Sequence, residues 1–170
     1  MIVGWKFALA VILLVFGVAA ACPASTVMVS VRADFSAAAI SPGSMLRAKQ
    51  MVSDIETSLM DEFFAAGHIT FNLPLPIRTP ASTDKAPTID ELLWNSAKGG
   101  ADVLVYCTVQ LVELNPNEPI QVKTCSVSAL GVREVKGLPL NWKLPVTLLT
   151  RETDIQPDIT RTAVQISAHL

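Results

Sequence analysis

Residues 102–114 read DVLVYCTVQLVEL, a run with no glycine or proline, dominated by Val, Leu, Tyr, Cys and Thr. Side chains of that kind pack best on a pleated surface, so the run reads as a long strand. Asn115-Pro116-Asn117-Glu118-Pro119 reverses the chain, and Ile120 to Val135 returns as a second long strand. A hairpin is marginal in water by itself and needs further strands or helices against its apolar side. A reversal centred on Pro116 sets Cys107 opposite Cys125, Thr108 opposite Thr124 and Val105 opposite Val127, all sensible cross-strand neighbours. A one-residue slip would put the sulfurs on opposite faces, and a two-residue slip would separate them. Directly opposed cysteines can be bridged. The reading is a structural Cys107–Cys125 disulfide, with two buried thiols as the alternative. No C-x-x-C pair or neighbouring cation marks a redox site.

The partners of this hairpin lie upstream. Ser25 to Phe35 alternates, with Val27, Val29, Val31 and Ala33 on one side and Met28, Ser30, Arg32 and Asp34 on the other, as a strand does. Ser41-Pro42-Gly43-Ser44 offers a helix start. Met45, Ala48, Val52, Ile55, Leu59 and Phe63 then form one apolar helical stripe, and Gly67 stands where a left-handed cap wants glycine. His68 to Asn72 reads as a short strand. Residues 74–87 hold Pro74, Pro76, Pro80 and Pro87 and form an extended loop, read as a connector, with a partner-binding loop as the alternative. Thr88-Ile89-Asp90-Glu91 is a capping box that opens a helix of about ten residues, ended by Gly99-Gly100. Leu144 to Thr150 reads as a strand. Residues 162–170 alternate as a strand too, while Ile159, Ala163, Ile166 and Leu170 would form a helical stripe; strand is preferred, with Arg151 to Asp158 as the loop before it.

The first residues are of another kind. Phe7 to Ala21 carries no charge, Lys6 precedes it, and Ala19-Ala20-Ala21 closes it with small residues. Fifteen apolar residues fall short of the roughly 20 that span a bilayer, so residues 1–21 read as a secretory signal peptide. Ala19-Ala20-Ala21-Cys22 also resembles the lipobox of bacterial lipoproteins, and that resemblance implies an acylated Cys22 as the first mature residue. It would leave Cys107 and Cys125 as the only other cysteines, an even number in an oxidising compartment. Residues 22–170 then make one domain with a real core. Without Lys6 its 15 acidic residues outnumber the cationic ones by three. So weak a balance offers no basic patch for nucleic acid and no polybasic run for anionic lipid.

Chemistry is hard to find. His68 and His169 are the only histidines, and neither has a partner at metal-ligand spacing, so no metal or cofactor is expected. There is no nucleophile elbow, P-loop or dinucleotide fingerprint. The carboxylate pairs Asp61-Glu62 and Asp90-Glu91, and Glu113 with Glu118, read as solvated faces or helix-start charges. Trp94 and Trp142 read as core residues, with a ligand-pocket lining as the alternative. The chain is expected not to be an enzyme.

Ala66-Gly67-His68-Ile69 at the end of the first helix, the helix over 88–98, and Gly100-Ala101-Asp102-Val103-Leu104-Val105 after it together resemble a set of bacterial envelope proteins. These are the periplasmic activators of penicillin-binding proteins, the N-terminal domain of TolB and the curli-export lipoproteins, in which a Gly-Ala-Asp before apolar residues opens the third strand. The resemblance implies protein binding without catalysis. The expected fold is α+β, with two helices on one face of a mixed, mostly antiparallel sheet in the order β-α-β-α-β-β-β-β. The expected function is an exported, lipid-anchored accessory protein on the periplasmic side of the cell envelope. It would be tethered to a membrane through Cys22 and would bind an envelope protein. The alternative is a periplasmic module that binds a small ligand or lipid.

Overall fold

The computed structural model describes residues 24–37, 40–83, 85–115, 118–132, 140–143 and 155–170. The signal-peptide and Cys22 readings, and the strand expected at 144–150, lie outside these residues. The elements run β1 (Thr26–Phe35), α1 (Pro42–Ala65), β2 (Ile69–Asn72), α2 (Ile89–Lys98), β3 (Val103–Val112), β4 (Gln121–Gly131), β5 (Leu140–Lys143) and α3 (Gln156–Ser167). They form an α+β fold around a mixed sheet in the order β2-β1-β3-β4-β5.

Three expectations need correcting. The sheet is not mostly antiparallel: β1 pairs in parallel with both β2 and β3, and only the β3–β4 and β4–β5 pairs are antiparallel. The helices are not on one face. Ala48, Ile55, Leu59 and Phe63 of α1 and Ile159, Ala163 and Ile166 of α3 pack on the Val27, Val29, Val31 side of β1. Leu92 of α2 packs on the other side with Met28, Leu104 and Tyr106. Crossover handedness explains this. The chain steps from β1 out to β2, then back over β1 to β3, and crossovers of one hand moving in opposite directions lay their helices on opposite faces. The last element is a helix, not a strand, and it uses the stripe Ile159, Ala163, Ile166 while Val164 stays exposed.

Local chemistry sets the other boundaries. Ser41 caps α1 by accepting from the Ser44 N–H at 3.1 Å. At the other end the His68 N–H reaches the Phe63 carbonyl (3.0 Å) and the Gly67 N–H reaches that of Phe64 (2.9 Å), with Gly67 at φ +92°. This is a Schellman motif, and it requires the left-handed residue that glycine supplies. The capping box of α2 forms as read: the Thr88 N–H donates to Glu91 (2.7 Å) and the Glu91 N–H to the Thr88 hydroxyl (3.2 Å). The first part of the proline-rich segment finishes the sheet. The Leu73 N–H donates to Val29, the Arg78 N–H to Ala33, and the Phe35 N–H to Arg78, so residues 73–78 run beside β1 beyond the end of β2. Prolines between these contacts leave fewer donors on the outer edge.

Candidate functional site

The hairpin register differs from the symmetric one expected. Cys107 faces Val127 and Cys125 faces Val109, a slip of two residues from the symmetric pairing. A register shift at Gln110/Leu111 then lets Lys123 and Thr124 both face solvent while Leu111 and Val122 return to the core. The slip does not separate the sulfurs. Cys107 and Cys125 are diagonal neighbours on the α1 side, both buried, with Sγ atoms 3.8 Å apart. Sheet twist brings one diagonal of each square of side chains together. The contact with Cys125 and the dry surroundings push the Cys107 thiol well above its ordinary value, which keeps it protonated.

On the opposite face a polar cluster covers the end of the sheet that α2 leaves open. Arg32 of β1 pairs with Asp34, Nε to Oδ2 at 2.7 Å, beside Tyr106 of β3. Burial opposes the charge on Arg32, yet Asp34 and Tyr106 outweigh it and hold the guanidinium ionised. Burial also raises the Tyr106 phenol, against the pull of Arg32. Beside them the Thr108 and Ser126 hydroxyls bond to each other across β3 and β4. The turn at 79–82, closed by the Ser82 N–H on the Thr79 carbonyl (2.9 Å), rims this floor. Between turn and sheet lies a polar cleft of about 300 Å³ lined by Arg32, Asp34, Arg78 and Thr79.

The crevice at the carboxyl ends of β1 and β3 is where open sheets of this order take ligands, commonly an anion on the N–H groups that open a helix. Here the chain fills that place with its own carboxylate. Glu113, just past β3, accepts from the Ser41 N–H and from the Ser44 hydroxyl, both at 3.0 Å. These bonds, with Arg47 nearby, hold its carboxyl below the usual carboxylate range. Arg47 donates to the Ser44 hydroxyl (2.8 Å) and to the Glu118 carbonyl (3.0 Å), tying the hairpin turn to α1. A second, more open groove of about 660 Å³ runs between α1 and α3, bridged by Ser58 and Gln156 at 2.8 Å.

The other residues singled out from the sequence scatter. His68 is buried and its Nδ1 accepts from the Ser25 N–H at 3.3 Å; His169 is exposed at the end of α3. Trp94 is not a core residue: it is 63% exposed, with Lys98 Nζ 4.8 Å from its ring centre. Asp61, Asp90 and Glu91 are exposed. Asp102 of the Gly-Ala-Asp stretch accepts from the Thr26 N–H (2.9 Å) and so joins the starts of β1 and β3. Among the described residues no group of His, Cys, Asp and Glu could hold a metal ion. Nor is any described helix long and apolar enough to cross a membrane. The alternation of β1 puts Arg32 and Asp34 on the correct side, but it carries no sign that Tyr106 and Arg78 join them. Nor do Ser41 and Ser44 alone signal Glu113 as the anion on α1.

No family model matches this chain, and no curated protein matches it. Among solved structures it is similar to a PelC dodecamer from Paraburkholderia phytofirmans. The two are 11% identical, with a TM-score of 0.43 over 85% of this chain and 88% of that one. A variant of that dodecamer gives 12% identity and a TM-score of 0.44 over 85% and 89% of the two chains.

Proposed function

We propose that this chain is an exported accessory protein of the cell envelope, anchored to a membrane on the periplasmic side through an acylated Cys22. It acts by contact with another envelope protein and carries out no catalysis. The observation that carries the reading is the junction between leader and fold. The charge-free run 7–21 closes with Ala19-Ala20-Ala21 before Cys22, and β1 begins four residues later at Thr26. The crevice at the carboxyl ends of β1 and β3 supports a non-catalytic role, because Glu113 already occupies the start of α1 and Asp34 already pairs with Arg32. In an oxidising compartment a bridge between Cys107 and Cys125, whose sulfurs lie 3.8 Å apart across a diagonal, would staple β3 to β4, with a backbone shift to bring the two strands closer there. Mass mapping of peptides under non-reducing conditions detects that link directly.

The reading is tested by growing cells on a labelled fatty acid. Label is expected on the wild-type protein in the membrane fraction, and Cys22→Ser is expected to lose the label and become soluble. Wild-type protein that carries no label removes the anchor. Crosslinking in intact cells then identifies the protein neighbour. A small-ligand module is the second reading, favoured by the polar cleft beside Arg32 and Arg78. Small anions that protect the chain against heat, with protection lost in Arg32→Gln, would select it.

A further inference from the structure

The tether and the sheet together set how the molecule would sit on its membrane. β1, β2 and β3 are parallel, so their starts lie at one end of the fold. Ser25 is at that end, three residues from Cys22, and three residues span at most about 10 Å. The headgroup zone on each side of a bilayer is itself roughly 5–7 Å deep. A chain acylated at Cys22 therefore has no room to stand clear of the lipid, and the starts of β1, β2 and β3 face the bilayer.

Part of that end is apolar. The stretch 63–72, from the end of α1 through β2, contains no Asp, Glu, Lys or Arg. Its turn from α1 into β2 exposes Phe64 (72%) and Ile69 (61%), with Ala65, Ala66 and Gly67 also exposed between them. The turn is fixed to the base of the tether, since the Ile69 N–H donates to the Ser25 carbonyl at 3.1 Å and the Ser25 N–H to His68 at 3.3 Å. His68 is held neutral, its basicity lowered by burial, so it adds no charge there. α2 also ends at this pole, where Lys98 stands over exposed Trp94, an indole and ammonium pair suited to the headgroup layer. The opposite pole is charged, with Arg32, Asp34, Arg47, Arg78, Glu113, Glu118 and Lys123 gathered where the strands end. Asp61 and Glu62 lie one turn up α1 from Phe64 and set a limit to how deep the pole enters.

We infer that the pole formed by Phe64, Ile69 and the tether at Ser25 rests in the interfacial layer of the bilayer that holds Cys22, leaving the charged pole turned to the aqueous side for a partner. The inference rests on the anchoring reading above. An apolar patch this small would bind lipid weakly from solution, but the anchor holds it at the surface, so it orients the domain without having to recruit it.

The test uses full-length protein, exported and purified from membranes. It is reconstituted in phosphatidylethanolamine–phosphatidylglycerol vesicles with and without bromine on the acyl chains. Phe64→Trp and, separately, Ile69→Trp are expected to add emission that bromine quenches. Thr124→Trp, on an exposed site of β4 near the charged pole, is expected to add emission that bromine leaves unchanged. Circular dichroism confirms that each variant is folded, and two reporters guard against the loss of either. If Cys22 bears acyl chains and neither reporter is quenched, or Thr124→Trp is, the orientation is wrong while the anchor stands. If mass analysis finds no acyl chain on Cys22, the anchor and the orientation fall together.

Discussion

Glu113 and His68 each hold a chain start in place, and each does so in its unprotonated form. Glu113 receives the Ser41 N–H and the Ser44 hydroxyl, and these bonds lower its pKa. His68 receives the Ser25 N–H on Nδ1, and burial lowers its basicity against the opposing pull of its hydrogen bond to the Ser167 backbone. In both cases the unfolded chain binds protons at a pH where the fold still refuses them. Stability from Glu113 is therefore complete above the ordinary carboxylate value of about 4.3 and is lost as pH falls through its lower folded value. Stability from His68 is complete above about 6.5 and falls away below it. Denaturant midpoints measured against pH should decline in two steps on acidification. His68→Asn should flatten the first step and Glu113→Gln the second. A wild-type midpoint flat from neutrality down to the carboxylate range would disprove the His68 role. Neither residue could be assigned this work from sequence: His68 is one of two isolated histidines, and Glu113 meets α1 only because β3 ends beside the start of that helix.

The helices differ in how plainly they could be read. In α1 the six-residue apolar stripe, the Ser41 cap and Gly67 all point the same way, and the structure follows them. In α3 the same residues satisfy two periods, since Val164 and Ile166 share a face in a strand but not in a helix. Packing against α1 decides it by burying Ile166 and leaving Val164 52% exposed. That gives a direct test of the helix. Val164→Asp should change stability by no more than about 0.5 kcal/mol, as at other surface sites, while Ile166→Ala should cost about 2–5 kcal/mol. Equal losses would restore the strand. The α1 terminus gives a second test: a methyl group placed on Gly67, at φ +92°, would meet open space, so only backbone strain opposes it. Gly67→Ala should cost about 1–2 kcal/mol in a thermal melt without altering the fold. Which face each helix takes was not legible, because periodicity reports that a helix has an apolar side and not on which side of a sheet it lands.

At the scale of the whole molecule, β1 and β3 belong to two cores at once. Their Val27, Val29, Val105 and Cys107 side chains lie under α1 and α3, and their Met28, Leu104 and Tyr106 side chains lie on the side of α2. The cores are unequal. The first takes residues from both long helices, whereas the second holds α2 chiefly through fully buried Leu92, helped by half-buried Leu93. A unit fastened by so few apolar contacts should open before the rest. Truncating its main contact should release it alone. Leu92→Ala is expected to speed hydrogen exchange of the amides at 92–98 far more than those of Val31, Cys107 or Ile55, although the global cost of the cavity, about 2–5 kcal/mol, is felt everywhere. The disparity matters for the proposed role because α2 carries Trp94 and Lys98 on its outer side while α1 and β2 carry the turn beside the tether. If exchange instead rises by the same factor in α2, β1 and α1, the two cores form one cooperative unit and the sheet transmits every loss from one face to the other.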